Sequence, residues 1–152
     1  MIDLNVRSLT EFTYLFGKDM IDRRHGKILN VASTAAFQPG PIMSVYYATK
    51  HYVLAFSEGI AEEWGDLGVT VTALCPGPTE SGFQKAASAG ANKIFSKKLP
   101  SSYEVAEYGY KSLVAGKRVV IHGFMNRIMA FSVRFTPRNL IVKIVRSMQE
   151  KR

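Results

Sequence analysis

Three observations in this 152-residue chain point to an α/β domain built on a parallel sheet. Runs 27–33, 68–75 and 118–122 are apolar and too short for helices, and the first two read as strands buried on both faces. A helix-length stretch precedes each of the three, and a glycine closes it. Helix, strand, helix, strand, helix, strand at this spacing is the signature of parallel pairing through helical crossovers.

Each element has a local cause. Leu4, Leu9, Phe12, Leu15, Phe16 and Met20 recur at helical spacing over 3–24, and Gly26 supplies a stop. The strand over 27–33 follows, with Ser33 at its C-terminal end. Pro39, Gly40 and Pro41 mark a loop, after which a helix runs over 45–64 until Gly65 and Gly68 break it. The second strand, 68–75, is closed by Pro76, Gly77 and Pro78. Stretch 79–99, rich in Ser, Ala, Gly and Lys, has little periodicity and reads as the mobile segment. Ser101 and Glu104 form a capping box that opens a helix to about 115, with Gly116 as stop. Beyond the third strand, 124–152 alternates apolar and basic residues and is predicted to be helical on both sides of Pro137. The division is therefore a folded part over 1–123 and a basic amphipathic tail over 124–152. No internal repeat is visible.

Composition narrows the function. A chain 47% hydrophobic and 21% charged is a globular domain. One cysteine, Cys75, excludes an internal disulfide framework and a cysteine-based zinc site, and fits a reducing compartment. No secretory layout or spanning segment appears, so the expected location is the cytoplasm, with peripheral membrane contact as a second possibility. The net charge of +8 is uneven: 1–110 holds 10 Lys/Arg against 11 Asp/Glu, whereas 111–152 holds 10 Lys/Arg against Glu150 alone. Leu140, Ile141, Ile144, Val145 and Met148 form a helical stripe opposite Arg138, Lys143, Arg146 and Lys151. That pattern suits docking on the domain, contact in a homo-oligomer, or an anionic membrane surface. Nucleic acid is not an expected partner, because no recognised module is present.

The informative cluster is Ser33, Tyr46 and Lys50. Four residues apart on a helix, Tyr46 and Lys50 share a face, so an ammonium can favour ionisation of the phenol. A free tyrosine, with a pKa of about 10, is otherwise a poor base at neutral pH. A hydroxyl at a neighbouring strand end, Ser33, can hydrogen-bond a substrate oxygen while Tyr46 exchanges its proton. This is proton chemistry on an alcohol or a carbonyl. A Tyr-x-x-x-Lys pair alone is weak, since with 7 Tyr and 11 Lys chance supplies about half an occurrence, and Tyr14 with Lys18 is a decoy. Context separates Tyr46: a buried strand ending in Ser33, a Pro/Gly loop between, and a second strand ending at Pro76 and Gly77. Tyr47 fails the spacing to Lys50. His25, His51 and His122 lack metal-ligand spacing, so no metal is expected, and Cys75 reads as a packed apolar residue.

Over about 1–123 the sequence resembles the short-chain dehydrogenase/reductase family. The resemblance is carried by the Asn30, Val31, Ala32, Ser33 run, the interval of 13 from Ser33 to Tyr46, the stretch Tyr46 to Lys50, and Cys75, Pro76, Gly77, Pro78, Thr79. It implies a Rossmann-like parallel sheet with flanking helices and an oxidoreductase using NAD or NADP on a small-molecule alcohol or carbonyl. By the same resemblance Tyr46 is the general acid/base and Ser33 polarises the carbonyl. Lys50 holds the nicotinamide ribose and lowers the Tyr46 pKa, and Asn5 orders a proton-relay water. Pro76, Gly77 and Thr79 meet the carboxamide end of the cofactor, and Ser81 offers it a hydroxyl. The bland alternatives are a helix-start cap at Asn5 and turn roles for Ser33, Thr79 and Ser81.

The family's opening strand, Gly-rich turn and helix have no match here, so the N-terminal half of the fold, roughly 90 residues at about 30 per βα unit, is expected to be absent. Strand 27–33 would then present an unpaired edge. That absence keeps a second reading open: a truncated, non-catalytic chain serving as a membrane-surface or protein-binding module.

Overall fold

The computed structural model describes residues 1–82 and 99–150. Three strands, β1 (Gly26–Val31), β2 (Val69–Cys75) and β3 (Val119–Ile121), form a wholly parallel sheet in the order β1-β2-β3. Gly26 pairs with Val69 and Val31 with Leu74, while Ala73 pairs with Val119 and Cys75 with Ile121. The helices are α1 (Leu9–Asp22), α2 (Ser44–Gly65), α3 (Ser102–Val114), α4 (Phe124–Ser132) and α5 (Arg138–Gln149). α2 carries the chain from β1 to β2, and α3 precedes β3, as parallel pairing requires.

The period-2 pleat of β2 sorts the core into two faces. Val71 packs with Ile60 and Ala61 of α2, and Ala73 and Cys75 pack with Val53 and Leu54 of the same helix. Leu74 points the other way and joins Val105 of α3 and Val120 of β3. α1 meets α2 where Gly17 faces Trp64, since a Cβ at Gly17 would lie 2.5 Å from the indole. The turn into β2 needs a glycine: Gly68 has φ +82, and a Cβ there would come within 2.1 Å of the Arg24 carbonyl oxygen. The capping box of α3 is formed, with the Ser101 hydroxyl accepting from the Glu104 amide at 3.2 Å and Glu104 accepting from the Ser101 amide at 2.8 Å.

Three expectations need correction. β1 is not buried on both faces: among the described residues it is the sheet edge, so Lys27 is exposed and Val31 is 50% exposed. It also ends at Val31, because Ser33 leaves the ladder to cap a short 3-10 turn, Thr34–Phe37. The first helix is not uniform either, since Asp3–Ser8 forms a wider π turn before α1 begins. Such widenings are frequent at functional sites, and this one carries Asn5. The stretch read as mobile, 79–99, lies outside the described residues from 83 to 98. At its flanks Glu80 and Ser101 form a parallel bridge, with the Glu80 amide donating to the Pro100 carbonyl at 2.9 Å.

The tail is helical on both sides of Pro137, and its apolar stripe divides. Ile141 and Val145 are buried against Ala35 and Tyr47, whereas Leu140, Ile144 and Met148 stay partly exposed. No helix among the described residues is long and apolar enough to cross a membrane.

Candidate active site

A cavity of about 910 Å³ opens beyond the carboxyl ends of β1 and β2, where parallel sheets bind their ligands. Ser33 stands where β1 ends. Its hydroxyl accepts from the Ala35 amide at 3.1 Å and lies 3.4 Å from the Pro76 carbonyl, while the Thr34 amide donates to that carbonyl at 2.8 Å. The two strand ends are thereby tied together under the cavity.

Tyr46 and Lys50 lie one turn apart on α2, and both face the cavity. Burial pushes the Tyr46 phenol above the usual tyrosine range, and a hydrogen bond with Ser33 pulls part of that back. The Lys50 ammonium donates to the Val31 carbonyl at 2.8 Å and lies 6.0 Å from the centre of the Tyr46 ring. Burial pushes that ammonium below the usual lysine range. Burial is thus the largest influence on the phenol, and the ammonium is turned toward Val31.

Asn5 enters the same cavity from the π turn, and its Nδ2 donates to Thr49 Oγ1 at 3.1 Å, joining the first helical segment to α2. Pro76, Gly77, Thr79 and Ser81 line the opposite side. Thr79 Oγ1 donates to the Gly77 carbonyl at 3.0 Å, holding the turn. Gly77 has no room for a side chain, since its Cβ would lie 2.3 Å from Nδ2 of Asn126, itself held by the His122 carbonyl at 2.8 Å. Cys75 is fully buried and its thiol is pushed up to about 12 by that burial, as suits a packing residue. No cluster of metal-ligating side chains occurs among the described residues.

Sequence reasoning missed part of this wall. Asn126, Met129, Ile144, Met148 and Gln149 reach the cavity from the tail, and Tyr47, set aside for its spacing, packs edge-on against Tyr46 at 5.9 Å. The apolar stripe 140–148 was the available signal, but periodicity does not say what a stripe covers.

The parallel sheet, its flanking helices and a cavity beyond the strand ends define a Rossmann-like α/β architecture, and comparison with known proteins specifies it further. The short chain dehydrogenase family pattern matches residues 1–92, and the chain belongs to that family. It is 30% identical to 17-beta-hydroxysteroid dehydrogenase type 3 of Mus musculus, over 84% of this chain and 42% of that protein. It is 29% identical to the very-long-chain 3-oxoacyl-CoA reductase of Anas platyrhynchos, over 94% of this chain and 45% of that protein. The chain thus spans less than half the length of these curated relatives. A short-chain dehydrogenase from Sphingobium yanoikuyae, solved with NADPH, shares the fold at a TM-score of 0.74 and 24% identity, over 89% of this chain and 53% of that one.

Proposed function

We propose that this chain carries the proton-transfer centre of an NAD(P)-dependent oxidoreductase that interconverts a hydroxyl and a carbonyl. The observation that carries the reading is the convergence of Ser33, Tyr46 and Lys50 on one cavity, with Ser33 hydrogen-bonded to the Tyr46 phenol. Ser33 holds the substrate oxygen, and Tyr46 gives or takes its proton. Lys50 offers donors to ribose hydroxyls, and Asn5 orders the relay that resupplies the proton.

The donor set fits the nicotinamide-ribose end of NAD or NADP: an ammonium beside a phenol, and the turn formed by Pro76, Gly77 and Thr79 with the Ser81 hydroxyl beyond it. A nicotinamide bound there supplies the hydride. The relatives named for 3-oxoacyl-CoA and hydroxysteroid substrates support a carbonyl or alcohol attached to a large apolar body. On this reading 1–123 is the catalytic part and 124–152 closes the cavity. The test is turnover of NADH or NADPH with a ketone in the protein that contains this chain. Tyr46→Phe is expected to cut the rate about 10²- to 10⁴-fold with cofactor affinity nearly intact. Wild-type turnover in that variant would overturn the assignment.

A peripheral membrane contact through 124–152 is a second element of the reading. Phe124 and Phe135 are 76% and 75% exposed, with Arg127 and Arg134 between them in sequence and Arg138 three residues beyond. Contact within a homo-oligomer would cover the same residues.

A further inference from the structure

Tyr47 ties together three parts of the structure. Its ring packs edge-on to Tyr46 and against Ile141 and Val145 of α5, and Gly40 approaches so closely that a Cβ there would lie 2.2 Å from the ring. Its hydroxyl, buried, accepts a 2.7 Å hydrogen bond from Nε2 of Gln149 near the end of α5. A buried polar contact is directional, so it selects one seating of a helix where apolar packing alone tolerates several. The other flank of α5 presents Ile144 and Met148, 48% and 39% exposed, to the same cavity as Ser33, Tyr46 and Lys50, with Met129 and Val133 beside them.

We propose that Tyr47 and Gln149 are a positioning pair that determines specificity, holding α5 on the tyrosine helix so that Ile144 and Met148 receive an extended apolar group of the substrate. This rests on the reading of Tyr46 as the acid/base only in making that substrate a carbonyl or an alcohol. Neither Tyr47 nor Gln149 acts on the reacting atoms.

The experiment measures binding of two fluorescent ketones with one naphthalene head, 6-propionyl- and 6-dodecanoyl-2-dimethylaminonaphthalene, to the full chain. The wild type is expected to prefer the dodecanoyl probe at least about tenfold, because its longer chain covers the α5 wall. Tyr47→Phe and Gln149→Met are each expected to lower that preference about tenfold, and the double variant no further, since one contact is lost in all three. A merely destabilised chain would lose both probes in proportion and keep the ratio. Met148→Ala, which alters the wall and spares the pair, is expected to lower the ratio as well, and it keeps the test informative if α5 detaches in the other variants. Failure of the wild type to bind the long probe, a ratio within twofold of wild type in the single variants, or additive losses in the double variant would each overturn the proposal. Probe binding involves no proton transfer. An unchanged ratio beside an inactive Tyr46→Phe sinks only the pair, and an active Tyr46→Phe beside a collapsed ratio sinks only the acid/base role.

Discussion

The Lys50 ammonium donates to the carbonyl of Val31 across 2.8 Å, so the cation of the site is anchored on the exposed edge strand and not on the phenol one turn away. Burial disfavours its charge and sets its pKa below the usual lysine value. A lysine depressed in the folded state binds fewer protons there than in the unfolded chain, so stability rises with pH between the folded pKa and the ordinary value of 10.5. Lys50→Met is therefore expected to raise the urea midpoint at pH 7, by an increment that shrinks as pH climbs toward 10.5. A lower midpoint at pH 7 would show that the bond to Val31 outweighs desolvation.

Ser33→Ala is expected to move the Tyr46 ionisation upward. The hydrogen bond with Ser33 favours the phenolate, and without it burial acts alone. Absorbance near 295 nm, taken as the difference from Tyr46→Phe, follows the phenolate directly. Because the folded pKa is raised, Tyr46 contributes stability that is complete below the ordinary tyrosine value and lost as pH rises through the folded one. A downward shift on removing the serine would reverse its assigned role.

Gly17→Ala is expected to destabilise the chain by about 1–3 kcal/mol, since the new methyl overlaps the Trp64 ring at 2.5 Å and the indole must leave its place between α1 and α2. Chemical denaturation reads the loss, and Trp64 fluorescence, from the single tryptophan, reports the displacement. A neutral substitution would mean that the two helices separate freely.

Sedimentation with vesicles separates membrane contact from simple docking of the tail. Vesicles with anionic lipid are expected to carry the chain down at low salt and to release it as salt rises, while neutral vesicles leave it in the supernatant. Retention in the supernatant with both removes the contact through 124–152.

Light scattering of this 152-residue chain across a concentration series is expected to show self-association, because β1, the sheet edge among the described residues, lies beside the exposed Phe12 and Phe16 of α1. Phe16→Lys, which puts a charge on that patch, is expected to lower the mean mass. A monomer at every concentration would remove the interface.

The alternation of helix and strand, the parallel pairing, the capping box at Ser101 and the grouping of Ser33, Tyr46 and Lys50 were all legible in the sequence. Each rests on local chemistry: the period of apolar residues, a cap or breaker at a fixed offset, or two side chains one helical turn apart. The tertiary structure alone decided that Ser33 bonds to Tyr46 while Lys50 turns to Val31, and that β1 stops at Val31 with Ser33 capping the turn beyond it. It also decided that Gln149, at the far end of the chain, meets the hydroxyl of Tyr47. Those outcomes depend on which distant groups share a desolvated volume. Periodicity identifies the face an element buries, whereas the partner is selected only when whole elements pack and buried polar atoms find each other.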